Sequence, residues 1–227
     1  MNYILDYLKS NLDINYKAFI QKLTPDTNLK IIGVRTPIIK RLAKELTANF
    51  SNKIPMFLQE KHCFFEETLL HGFLLGYIKD IDILLLYLNN FLNQIDNWAV
   101  CDQTVSALKI IKKYPDKVLS QVIECLKSDK PYTVRFAIVI LLNYFLDKNF
   151  KENIYFELEK VKSDNYYVNM ALAWFYSIAL IKQLPSSIKI IQAKTLPKFV
   201  QNKAIQKACE SFRINNNLKH QLKTYKL

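Results

Sequence analysis

The stretch VRFAIVILLNYFL (134–146) decides the fold, because its pattern recurs at a fixed distance on either side. EETLLHGFLLGYI (66–78), VCDQTVSALKIIK (100–112), VNMALAWFYSIAL (168–180) and NKAIQKACESFRI (202–214) stand in steps of 34 residues, each with the apolar spacing of an amphipathic helix. A second amphipathic stretch follows each one, such as KVLSQVIECLKS (117–128) or ENIYFELEKVKS (152–163), so the repeating unit is a helical hairpin. Hairpins that cannot bury their apolar face alone do so by stacking, which makes an α-solenoid. A period of 34 also suits tetratricopeptide repeats, but their Trp, Leu-Gly and Tyr pattern is missing, and the units are closer to short HEAT-like repeats. The expected fold is all-α, an α-α superhelix of HEAT-like hairpins forming one domain over residues 1–227.

Composition agrees. Three Gly and seven Pro in 227 residues, half of them hydrophobic, suit long helices with short connections rather than a turn-rich β architecture. Pro37, Pro55, Pro115, Pro131, Pro185 and Pro197 each precede a run with helical spacing, the place where a missing N–H costs nothing, so helices are expected to start there.

A net charge of +12 and a pI near 9.4 fit a protein that works on a polyanion. Runs such as NNFLNQ and KNFKENIYF also match the Lys, Asn and Ile enrichment of AT-rich coding, which raises the pI independently. The four Cys (63, 101, 125, 209) show no CxxC spacing and no zinc-like cluster with the three His (62, 71, 220), so we expect a reduced cytoplasmic chain without a metal. The start, MNYILDYLKSNLD, reads as neither a signal nor a transit peptide, and IDILLLYLNNFL (81–92) is too short for a membrane span.

A helical wheel at about 100° per residue sorts the repeats. With Val100, Val134 and Val168 at zero, the positions four, seven and eleven further on (Thr104, Ala107, Ile111; Ile138, Leu141, Phe145; Leu172, Phe175, Ala179) fall within about 40° and form the packed seam. Trp98, Asp102, Lys109, Lys113, Arg135 and Trp174 fall at roughly 100–240°, away from it, and stacking would line them along one groove. Cys101, at about 100° with no His nearby in sequence, reads as a packed thiol, and His62, Cys63 and His71 as ordinary helix content.

GVRTPIIKRLAKEL (33–46), DNWAVCD (96–102), YTVRFAIVILLNYF (132–145) and YYVNMALAWFYSIAL (166–180) resemble corresponding segments of the AlkD-like DNA alkylation repair family. The likeness runs from about residue 30 to 213 and rests on the Gly-x-x-Thr-Pro turn, the Trp-x-x-x-Asp pair, and an Arg and a Trp 39 residues apart.

The resemblance implies a concave DNA-binding groove and excision of N3- or N7-alkylated purines by hydrolysis of the N-glycosidic bond, with no cofactor and no metal. A cationic alkylpurine leaves as a neutral base, so the barrier lies in the positive charge developing on the deoxyribose. By motif match Asp102 stabilises that charge and positions or deprotonates the water, and Trp98 and Trp174 offer electron-rich faces to the sugar. Arg135 binds a phosphate, Arg35, Thr36 and Lys40 contact the backbone at a helix start with free N–H groups, and Lys109 and Lys113 extend the groove.

The base is implied to stay stacked rather than flip, and the partner is double-stranded DNA containing alkylated bases, bound by a monomer. The likeness departs at Asn97 and Ala99, where the family has a Trp and an Asp, at Ser177, where it has an Arg, and in a gap between Asp102 and Arg135 two residues shorter.

Two other readings stay open at this point: a non-catalytic solenoid that binds distorted or branched DNA, and a scaffold that binds proteins. NNNLKHQLKTYKL (215–227) is compatible with a capping helix or a basic tail.

Overall fold

The computed structural model describes residues 2–227, which form fourteen α-helices and no strand beyond one isolated bridge between Lys30 and Phe64. The chain divides into two compact units, Met1–Tyr114 and Pro115–Leu227.

The first unit contains α1 (Asn2–Ser10), α2 (Ile14–Leu23), α3 (Thr36–Asn49), α4 (Ile54–Gln59), α5 (Phe65–Leu75), α6 (Ile81–Phe91) and α7 (Trp98–Ala107). Within it α3 packs on α5 and α5 on α7, while α6 backs α5 and α4. The second contains α8 (Pro115–Leu126), α9 (Pro131–Tyr144), α10 (Asn153–Glu159), α11 (Tyr166–Lys182), α12 (Leu184–Ala193), α13 (Lys198–Glu210) and α14 (Asn216–Thr224). There α9 packs on α11 and α11 on α13, with α8, α12 and α14 against their hairpin partners. This is the helix packing of a solenoid of helical repeats: like helices of successive hairpins lie side by side.

The period is written in the side chains as well. Gln94 Nε2 donates to the Glu60 carbonyl, 34 residues back, at 3.0 Å. Lys151 reaches Asp116 at 3.0 Å and Lys182 reaches Asp147 at 2.8 Å, each 35 residues apart. All six prolines singled out above stand in the first turn of a helix or, for Pro197, at its N-cap. The expected seam is buried at every position except Ala107, which is half-buried. Residues 216–224 form a helix, capped by Asn215, that buries Leu222, and the Tyr225 and Leu227 carbonyls just after it accept from Gln201 and Asn202 of α13, so the capping reading holds for this segment.

Close approach of α5 and α7 depends on Gly72. A Cβ there would run into the side chain of Thr104, so only hydrogen lets the two backbones come this near. Among the described residues no helix is long and apolar enough to cross a membrane.

One polar pair sits inside the first unit, and it corrects the reading of the histidines. His62 lies in the connection before α5 rather than on a helix, and its Nε2 is 2.8 Å from His71 Nδ1, with both rings buried. Phe57 and Phe91 cover the rings at centroid distances of 4.4 and 4.3 Å. His71 Nε2 has no partner, so a proton on His71 Nδ1 donated to His62 leaves a lone pair rather than an N–H unsatisfied, the cheaper arrangement.

Burial pushes the pKa of His62 down to about 4, and burial together with the neighbouring His62 pushes His71 down to about 3. Both are therefore neutral in the fold, while in the unfolded chain they take up protons below about 6.5. Stability is complete above that pH and falls as pH drops toward the folded values, by about 1.4 kcal/mol per imidazole at pH 5.5. The urea midpoint should accordingly decline between pH 7 and 5.5, before the carboxylates titrate; a constant midpoint over that range would rule out a buried neutral pair.

Candidate functional site

The head of α7 is fixed by a set of polar contacts that brings Trp98 and Asp102 to defined positions. Asn97 is the N-cap, accepting from the Val100 N–H at 3.0 Å, and its amide donates to Asp96 Oδ1 at 3.0 Å. Asp96 in turn accepts from the Thr27 hydroxyl and the Asn28 N–H, both at 2.7 Å. The Trp98 indole N–H donates to the Leu23 carbonyl at 2.9 Å, so α7 is stapled to the end of α2 and the connection that follows it. Asn97 is almost fully buried and Ala99 is buried, so both departures noted above fall at positions that build the helix start.

Trp98 and Asp102 lie one helical turn apart on α7, and both are half-buried. The indole has its polar edge occupied and its orientation fixed, and the carboxylate stands a turn further along beside it. Ser106 donates to the Asp102 carbonyl at 2.9 Å, one turn on again.

Arg35 and Thr36 lie where α3 begins, as expected, and the turn before them is held by a buried carboxylate. Glu66, fully buried on α5, accepts from Ile32, Gly33 and Val34 at 3.0, 2.7 and 3.2 Å. Gly33 has φ of 104°, a left-handed conformation that only glycine adopts without strain, and this turns successive N–H groups toward one carboxylate. Pro37 has no N–H and that of Ile38 goes to the Arg35 carbonyl. The carboxylate therefore fixes the turn that leads into α3, ahead of the helix start itself.

Arg35 itself is exposed, paired with Asp13 at 2.8 Å and stacked over Tyr16 at 5.4 Å. The N–H of Tyr16 and then this guanidinium hold the Asp13 carboxyl below its usual range. Thr36 Oγ1 is 3.3 Å from the Tyr16 hydroxyl.

The placement of Lys109 and Lys113 on the α7 wheel is also corrected. The α-helix stops at Ala107, and Lys109–Lys113 form a 3-10 turn. Leu108 and Ile111 are both buried, and a spacing of three suits an α-helix as well as a 3-10 turn, so apolar spacing alone does not distinguish the two. Both lysines are exposed. Lys109 joins Lys40 and Lys79 around one depression of about 370 Å³, to which Arg35, Thr36 and Lys113 do not contribute. Sequence reasoning missed Lys79; its signal was its position 34 residues before Lys113, in the connection rather than on a helix.

Arg135 and Trp174 belong to the second unit. Arg135 is buried, and its Nη1 donates to the Tyr167 carbonyl at 2.7 Å. The wheel gave it an open face; α9 has none over residues 133–142, all of them buried, as expected of a helix apolar all round. Trp174 is half-buried on α11, and Ser177, where the family has an Arg, is buried with its hydroxyl on the Trp174 carbonyl at 2.7 Å. Cys101 is fully buried, in keeping with a packed thiol.

Fold and surface together define a basic helical-repeat protein with a fixed indole and carboxylate on one of its helices. Over residues 4–208 the sequence matches the family described as DNA alkylation repair enzyme, and the chain belongs to that family. Its role lies in the repair of alkylated DNA, as an enzyme with DNA as its substrate. No curated protein matches the chain.

Proposed function

We infer that the chain is a DNA glycosylase that hydrolyses the N-glycosidic bond of cationic N3- or N7-alkylated purines in duplex DNA, without flipping the base. The observation that carries this reading is the pair on α7: an indole held by its N–H and, one turn away, a half-buried carboxylate. That pair suits a reaction whose transition state is a sugar cation. The carboxylate offers the opposite charge, and the ring offers a π face that attracts a cation without competing for water. No general acid is needed, because the departing base is neutral once its bond to the sugar breaks.

Asp102 thus stabilises the oxocarbenium-like sugar and orients or deprotonates the attacking water, while Trp98 lies against the deoxyribose. Trp174 as a second sugar contact and Arg135 as a phosphate ligand are assigned on the resemblance alone, as are Lys113, Arg35 and Thr36 as backbone contacts. For Arg35 that role means exchanging Asp13 for a phosphate, an exposed and therefore inexpensive exchange.

The test is release of free methylpurine from methylated duplex DNA incubated with the purified protein and followed by chromatography. Release supports the glycosylase. DNA binding that weakens with salt and yields no free base would replace it with a non-catalytic binder of distorted DNA, the reading that the departures at Asn97, Ala99 and Ser177 motivate.

A further inference from the structure

Lysines from three successive repeats converge on one depression in the first unit. Lys40 comes from α3, Lys79 from the connection after α5, and Lys109 from the turn after α7. All three are exposed, and no Asp or Glu lines the cavity of about 370 Å³ that they surround. Lys40 lies over the face of Phe73, its Nζ 5.3 Å from the ring centroid, which fixes one cation at the wall. The Ser106 hydroxyl is turned to the Asp102 carbonyl, so the Gln103 amide and the Tyr77 phenol are the other neutral polar groups of the lining. Three ammonium groups around a space this small repel one another unless an anion sits between them.

The position of the cavity narrows the choice of anion. Ser106, on its wall, is four residues beyond Asp102 on α7, a distance of about 6 Å along the helix. Successive nucleotides of a DNA strand advance by about 3.4 Å along the duplex axis, so the offset corresponds to one or two nucleotides. Lysine binds phosphate as a point charge and asks for no particular orientation, which suits a phosphodiester that must be gripped irrespective of sequence.

We propose that the cavity lined by Lys40, Lys79 and Lys109 seats a single DNA backbone phosphate one to two nucleotides from the sugar at Asp102, with Lys79 as a DNA contact in its own right. This rests on the reading of Asp102 as the residue that meets the sugar. The pocket sets the register: a phosphate held here fixes which deoxyribose of the strand stands at the carboxylate.

The experiment pairs Lys79→Gln with a scan of neutral linkages. A duplex with one abasic-site analogue is made in versions that each carry a single methylphosphonate within four nucleotides of that site, and affinities are measured by fluorescence anisotropy. Lys79 is exposed, so the variant keeps its fold, which a melting curve verifies.

The expected result is a loss of about three- to tenfold from Lys79→Gln and a drop of about 0.9 in the slope of log affinity against log salt. One linkage, one or two nucleotides from the abasic site, should give a similar loss in wild type and no further loss in the variant, because both changes delete the same contact. If wild type binds with a normal salt slope while Lys79→Gln and every methylphosphonate act additively, the pocket holds no phosphate although the DNA reading stands. Absence of salt-dependent binding by wild type would remove both.

Discussion

Replacing Asp102 by Asn should lower methylpurine release by about a hundredfold or more while leaving affinity for the same duplex unchanged or slightly higher. The two side chains have nearly the same shape, and a half-buried position at this point of α7 accepts an amide without loss of packing. What disappears is the charge opposite the developing sugar cation, and with it the acceptor that orients or deprotonates water. In the unreacted complex the same charge stands beside a polyanion, so its removal relieves repulsion and does not weaken binding. A loss confined to the rate, with equal or tighter binding, is the signature of an interaction made in the transition state. Single-turnover release and anisotropy titrations on one protein preparation separate the two quantities. Wild-type rates in the variant would take Asp102 out of the mechanism.

Replacing Glu66 by Ala should cost about 3–6 kcal/mol, because it strands three buried N–H groups at about 1–3 kcal/mol each and compensation among neighbours recovers part of the sum. For a chain of this length that corresponds to a fall in Tm on the order of 10 °C or more. Glu66→Gln should lose less, since its single carbonyl can still serve one or two of the donors. The damage should appear first where the carboxylate acts, as faster protease cleavage of the segment leading into α3. That segment carries Arg35 and Thr36, so the variant should also bind DNA more weakly. A Glu66→Ala protein that melts within two degrees of wild type, an arbitrary margin of about half a kcal/mol, would show that the three N–H groups find other partners.

The contrast between Glu66 and Asp102 shows what the sequence carries and what it does not. Repeat phase, proline positions and the buried seam are one-dimensional patterns, and each survives into the structure because helix geometry maps them onto faces. Trp98 and Asp102 were legible for the same reason: four residues apart on one helix, they are neighbours whatever surrounds them.

Glu66 reads in sequence as one of two acidic residues in the first turn of α5, beside Glu67. Only the arrival of the Gly33 turn from the preceding repeat makes one of them a buried anchor and leaves the other near the surface. The histidine pair was hidden in the same way, since one member lies in a connection and no period links positions 62 and 71. Lys109 was named for a helix face that ends two residues earlier, and it reaches the cavity from a 3-10 turn instead.

The ties that span one repeat, such as Glu60 to Gln94, Asp116 to Lys151 and Asp147 to Lys182, also govern how the chain is made. Each partner arrives within about 35 residues of the other, which a ribosome adding about 5–20 residues per second delivers in roughly two to seven seconds. Helices form in about a microsecond and small loops close faster still, so every emerging hairpin waits only for the next one. A growing chain therefore exposes a single unsatisfied repeat face at a time, and the window in which it could aggregate moves along with synthesis instead of lasting until its end.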